Sequence, residues 1–199
     1  YGQSSLGLNE NTPFNFNNSN PYIKSQQMIE EIIRDTVKTD NEWNVAILRI
    51  GNVVGAFEQA VLGEFVQPLP KNIVPLALQV ATMQRDYIEL QQTAQTEDQT
   101  VERSFVHVLD VCDAIFASLY WFNHQQNVCE SFDIGGYSLS IQQILTEIKQ
   151  VTGQQIKTIE ATYSFDELDQ IGSNSSKAQQ LLGWKAKRSV EKMIQDQWQ

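Results

Sequence analysis

The chain has 199 residues, 41% of them hydrophobic, enough to bury one substantial core or most of a larger domain. Its formal charge of -10 and pI near 4.6 exclude broad binding to nucleic acid or to an acidic membrane, because a polyanionic partner needs a basic stripe. No apolar run approaches the roughly 18 residues that span a bilayer, and the two cysteines, Cys112 and Cys129, stand in no metal-ligand spacing and read as reduced thiols of a cytoplasmic protein.

The first residue is Tyr1 rather than Met, and YGQSSLGLNE is neither a charged nor an apolar leader, so the chain reads as a piece of a larger protein. As far as Asn20 the sequence is rich in Asn, Ser and Pro without a period, as in an irregular surface segment. Asn20-Pro21 then leads into SQQMIEEIIRDTVK, where Met28, Ile29, Ile32, Ile33 and Val37 keep helical spacing. WNVAILRI, 43–50, is a short β-branched run suited to a buried strand. The long connection 52–71, with Gly55, Gly63, Pro68 and Pro70, is too long for a turn and points to function.

NIVPLALQVATM, 72–83, predicts a helix, YIELQ a strand, TAQTEDQTVE a polar loop and FVHV a short extended piece. LDVCDAIFASLYWF is an apolar helix with Asp110 near its start. ESFDIGG is a strand ending in a turn at Gly135-Gly136, and Ser140 caps a helix whose Ile141, Ile144, Leu145 and Ile148 share a face. IKTIEA is a further strand, and SNSSKAQQLLG a short helix closed at Gly183. Alternation of strand and helix favours an α/β layer architecture, with no repeat and no linker dividing the chain.

Taken singly, the polar residues in these elements are bland. Tyr22 reads as an amphipathic tyrosine at a helix start, Asn72 as a helix N-cap, Arg103 as a surface arginine and His107 as part of a packed run.

Taken in order they resemble one family. Asn20-Pro21-Tyr22-Ile23-Lys24-Ser25-Gln26 resembles the N-P-Y-G-K/R-S-K run of extended short-chain dehydrogenase/reductases, in which Tyr is the acid/base and the Lys four positions later contacts the nicotinamide ribose. Tyr22 is kept, but Gln26 stands where that Lys would be. A phenol with an ordinary pKa of about 10 needs a nearby positive charge to act as a base near neutrality, and Gln26 supplies none. Lys24, two residues from Tyr22, faces another direction on a helix and matches the family's non-catalytic basic position.

LRIGNVVGA resembles the L-R-Y-F-N-P-x-G-A run of UDP-glucose 4-epimerases, keeping Arg49, Asn52, Gly55 and Ala56 while Ile50 and Gly51 replace the aromatic pair. LGEFVQPLPKNIVPLALQVA is similar to the G-E-x-P-x-G-x-P-N-N-L-x-P-x-x-x-Q-V-A stretch, keeping Glu64, Asn72 and Pro75. TEDQTVERSFVHVLDVCDA resembles T-x-D-G-T-x-V-R-D-Y-I-H-V-x-D-L-A, with Arg103 kept and Ser104 and Phe105 replacing the Asp and Tyr. The closing segment resembles R-R-x-G-D through S-K-A and L-G-W to an ending near D-x-W, with Ser164 in place of the family's diphosphate Arg and Glu167 in place of its Asp.

The resemblance implies an α/β fold that is the C-terminal portion of a doubly wound, Rossmann-like extended fold plus its smaller α/β substrate-binding region. Residues 1–199 would form a partial NAD-dependent epimerase/dehydratase domain whose N-terminal NAD-fingerprint segment lies outside them. It implies NAD-dependent C4 epimerisation of a UDP-hexose in the intact parent, with this piece inactive alone. In that reaction NAD takes hydride from C4, the Tyr removes the O4 proton, and hydride returns to the other face. Tyr22 would be catalytic, Asn52, Asn72, Arg103 and Glu167 would bind the UDP-hexose, and Tyr22 with Gln26 would meet the NAD ribose. Family members dimerise through a bundle that includes the helix near 22–38. The alternative is a degenerate, non-catalytic paralogue that binds a sugar nucleotide or serves as a structural partner.

Overall fold

The computed structural model describes residues 8–15, 20–40, 42–57, 61–65, 70–92, 96–161, 170–172 and 174–199. The first helix, α1 (Pro21–Thr39), starts where the sequence says it should. The Asn20 carboxamide accepts from the Tyr22 and Ile23 amides at 3.0 and 3.4 Å, and Pro21 opens the helix without an amide to satisfy. The strand β1 (Val45–Ile50) follows and pairs in parallel with β5 (Cys129–Ile134), in register from Val45 opposite Cys129 to Ile50 opposite Ile134.

At Gly51 the chain passes from this pair into a second sheet. A Cβ there would lie 2.9 Å from the Ser104 carbonyl oxygen, so only glycine fits the crossing. The short strand β2 (Asn52–Val54) stands inside what the sequence presents as an unbroken connection. It pairs in parallel with β4 (Glu102–His107), Asn52 opposite Phe105. Between them come α2 (Ile73–Ala81) and β3 (Ile88–Leu90). β4 begins in the polar stretch that reads as loop, because its Glu102–Phe105 half gains an antiparallel partner, β6 (Tyr137–Ser140), that no hydrophobic period announces. The pair β3 and β7 (Thr158–Glu160) is parallel, and β8 (Gln170–Ile171) adds to β4 at Glu102 and Arg103.

Among the described residues four further helices cover the sheets. α3 (Val108–Phe122) is capped by His107, whose Nδ1 accepts from the Leu109 amide at 3.0 Å. α4 (Ile141–Thr152) carries a complete capping box between Ser140 and Gln143, and its predicted apolar face is buried throughout. α5 (Ser176–Leu182) closes at Gly183, and α6 (Val190–Trp198) is capped by Ser189.

Two cores result. One gathers Val74, Ala77, Phe105, Ile144, Ile148, Met193 and Ile194 from α2, β4, α4 and α6; the other joins α3 and α5 to β1 and β5 through Val111, Ala114, Phe132, Ile134, Ala178 and Trp184. A buried carboxylate locks the second core to the chain that follows α5. Asp110 accepts from the Lys187 and Arg188 amides and from the Arg188 guanidinium, while its carbonyl receives the Trp184 indole N–H at 2.8 Å.

Helix α1 departs from its apolar pattern. Its buried positions are Gln27, Glu30 and Val37, whereas Met28, Ile29 and Ile32 are exposed by 48, 50 and 65%. The face turned to the sheet is polar because β1 and β5 offer Arg49, Ser131 and Asp133 on that side.

Candidate functional site

An open cleft of about 1790 Å³ runs between the start of α1, the β1–β2 crossing, the start of α2, strands β3 and β4, and the first turns of α3. Tyr22, Asn52, Asn72 and Arg103 all line it. Each arrives from a different element. Tyr22 is the second residue of α1 and 71% exposed. Asn52 opens β2 and is steadied by its Nδ2, which donates to the Ser104 carbonyl at 3.2 Å. Asn72 holds the N-cap position of α2 in an extended conformation, but its side chain makes no capping bond. The side-chain cap that the sequence suggests is therefore not made. Arg103 lies on β4, with Nη1 donating to the Glu102 carbonyl at 2.8 Å.

Gln26 is exposed one turn further along α1 and is not among the residues that line the cleft. Glu167 and Ser164 lie outside the described residues. His107 is fully buried, and burial pushes its pKa down against the opposing pull of Asp196. It belongs to the packing.

Sequence reasoning also passed over residues that the fold brings to the cleft. Two further cations, Lys71 and Arg188, line it. Arg188 is committed to Asp110 and Asp113, the latter at 3.1 Å, so Lys71 is the cation more open to an anionic ligand. A lone lysine ahead of a helix carries no signal in sequence. Gly51 and Ser104, read separately as replacements, prove to be one feature, since the missing side chain at 51 is what lets Ser104 approach. The Ser104 hydroxyl is buried with no hydrogen-bond partner.

A pyrophosphate seat for a dinucleotide needs a glycine-rich turn opening a helix. The described helices open instead on Asn20, Asn72, His107, Ser140, Ser175 and Ser189. These residues do not fit the pyrophosphate of NAD. Among the described residues no group of three or more His, Cys, Asp or Glu is placed to hold a metal, and no helix is long and apolar enough to cross a membrane.

The profile of the NAD dependent epimerase/dehydratase family matches residues 1–135. UDP-glucose 4-epimerase GEPI48 of Cyamopsis tetragonoloba and UDP-glucose 4-epimerase 2 of Arabidopsis thaliana are each 31% identical over 182 residues, covering 90% of this chain and 52% of theirs. The crystal structure of UDP-glucose 4-epimerase from Bifidobacterium longum in complex with NAD+ and UDP superimposes with a TM-score of 0.90 at 26% identity, over 98% of this chain and 58% of that one. The chain spans about half the length of the curated relatives it matches.

Proposed function

Because this chain belongs to the NAD dependent epimerase/dehydratase family, we propose that it forms the sugar-nucleotide-binding part of a UDP-hexose 4-epimerase, with Tyr22 as the acid/base. One observation carries the reading: Tyr22, Asn52, Asn72 and Arg103, from four separate elements, converge on a single cleft. A core-packing role would not bring them to one open surface.

The chemistry of each residue suits a UDP-hexose. The Arg103 guanidinium and the Lys71 ammonium offset the two charges of the diphosphate, which a chain of net charge -10 would otherwise repel. The Asn72 amide, which makes no capping bond, has both a donor and an acceptor for the nucleotide, and Asn52, whose Nδ2 is held by Ser104, keeps a carbonyl oxygen that can accept from a sugar hydroxyl. Glu167 is assigned to the same ligand by its position in the family pattern. Tyr22 holds or takes the O4 proton, and with Gln26 it meets the nicotinamide ribose. The described residues hold no pyrophosphate seat, so the share of the reaction that falls to this chain is binding the sugar nucleotide and moving that proton.

A second reading, a sugar-nucleotide binder without turnover, draws on Gln26. It is exposed, is not one of the cleft-lining residues, and brings no charge toward the Tyr22 phenol. Both readings share the ligand, a cytoplasmic setting consistent with two free thiols, and a homodimer formed through the exposed apolar face of α1.

Calorimetric titration with UDP-glucose tests the ligand. The expected result is a saturable isotherm that Arg103→Ala weakens by about 10- to 100-fold, the worth of a charge-assisted hydrogen bond. No binding, or binding indifferent to Arg103, would overturn the reading.

A further inference from the structure

One wall of the cleft, formed by Gly55, Phe57, Leu62 and Glu64, is held from behind by the last helix. Gln197 on α6 ties two of these residues with its two amide atoms: Oε1 accepts from the Gly55 amide at 3.0 Å, and Nε2 donates to Glu64 Oε2 at 2.8 Å. The orientation is fixed by chemistry, since a backbone N–H can only donate and an ionised carboxylate can only accept. Gly55, Glu64 and the bridged pair Phe57 and Leu62 all line the cleft.

The support beneath Gln197 is rigid. Met193 and Ile194 are fully buried, and Asp196 takes the Lys192 ammonium at 2.6 Å and the His107 ring at 3.1 Å. His107 Nδ1 accepts from the Leu109 amide, so the proton sits on Nε2 and is donated to Asp196. The same ring packs under Gly55. The backbone there has φ +95°, and a Cβ would lie 2.6 Å from Nε2, so position 55 admits no side chain. Gly55 is thus seated on His107 and tied by Gln197.

The geometry points to Gln197 as a positioning residue for the sugar-nucleotide cleft, one that fixes Gly55 and Glu64 in its wall from α6 without touching ligand. This rests on the reading of the cleft given above. Gln197→Glu keeps an acceptor for Gly55 but sets a second carboxylate against Glu64, and adding Glu64→Gln restores a donor between them.

The test measures hydrogen exchange at the Gly55, Phe57 and Leu62 amides together with UDP affinity. Gln197→Glu is expected to speed exchange at these amides and lower UDP affinity about fivefold, the weight of one ordinary hydrogen bond, and the double variant to recover both. Gln195→Ala, on the same helix and bonded only to Glu191, serves as the control for helix integrity. Exchange unchanged by Gln197→Glu, or a double variant no better than the single, overturns the inference. If the unaltered chain takes up no UDP, the ligand reading falls, while the exchange measurement still decides the role of Gln197.

Discussion

Arg49 on β1 grips Glu30 on α1 with two nitrogens, Nε at 3.0 Å from Oε2 and Nη2 at 2.7 Å from Oε1. Arg34, one helical turn on, adds a contact at 2.8 Å, the Ser131 hydroxyl of β5 another at 2.8 Å, and the Phe14 ring lies 5.4 Å from the Arg49 guanidinium. This charged cluster, with Val37, fastens to the sheet a helix whose apolar residues mostly face away from it. Since Tyr22 stands at the head of the same helix, the cluster also sets where the phenol meets the cleft.

Acid should therefore loosen α1. Burial by itself would raise the Glu30 pKa, but hydrogen bonds from Arg49, Arg34 and Ser131 outweigh it and hold the value at about 2, against an ordinary 4.5. A depressed folded-state pKa contributes stability that is complete above about 4.5 and is lost as pH falls toward 2. That contribution is on the order of 3 kcal/mol. Thermal melts across this window should show a fall in Tm that Glu30→Gln removes, at the cost of a lower Tm at pH 7. A parallel decline in the variant would locate the acid sensitivity elsewhere.

Asp133 should act with the opposite sign. It is buried in β5 with neither carboxylate oxygen hydrogen-bonded, and burial pushes its pKa up to about 7 from 3.8. The folded state then keeps a proton that the unfolded state has released, so stability declines as pH rises from about 4 to 7 and the loss is complete above that. Asp133→Asn should raise Tm at pH 8 and leave it nearly unchanged at pH 4.5, with a gain on the order of 2–4 kcal/mol at the higher pH. An equal effect at both pH values would refute the titration of Asp133.

Local patterns made the helices legible. α4 follows from Ser140, Gln143 and four aliphatic residues on one face, and α1 from Asn20-Pro21, because caps and periodicity are properties of neighbouring residues. β2 and β6 were hidden because three or four residues carry no period, and each is a strand only by virtue of β4 beside it. Helical spacing on α1 gave the right element and left open which way its apolar side would face. Whether Arg49 and Glu30 would meet is a long-range fact that no window contains. The four cleft residues were named through family resemblance, since Asn72 or Arg103 alone reads as a cap or a surface charge. Lys71, Ser104 and Gln197 matched no pattern, and only the fold reveals their surroundings.

The exposed side of α1 should bind a second copy of the chain. Met28, Ile29 and Ile32 are neighbours at helical spacing, and a contiguous apolar patch of that kind on a helix marks an interface. Sedimentation should find a dimer in micromolar solution, and Ile32→Asp should shift it to monomer with little change in helix content. A wild-type chain that stays monomeric at about 100 µM, where an interface of ordinary strength is saturated, removes α1 as a dimer surface.

The final expectation separates the two ligands of the family. In the proposed site UDP would meet residues that line the cleft: Arg103 and Lys71 for its charges and the Asn72 amide, which makes no capping bond, for its polar edge. NAD is held in this fold class mainly by its pyrophosphate, set against backbone amides where a glycine-rich turn enters a helix, and none of the described helices opens on such a turn. The nicotinamide end alone would rest on Tyr22 and the uncharged Gln26, and a few neutral hydrogen bonds of about 1 kcal/mol each do not offset the entropy of fixing a dinucleotide. These 199 residues should accordingly bind UDP with a dissociation constant between about 10 µM and 1 mM and NAD more weakly than about 1 mM. Side-by-side titrations provide the check: raising salt should weaken the UDP isotherm, because its energy is largely electrostatic, and Lys71→Ala should weaken it by about tenfold. A stoichiometric, micromolar NAD isotherm would mean that this chain builds a dinucleotide seat without a glycine-rich turn.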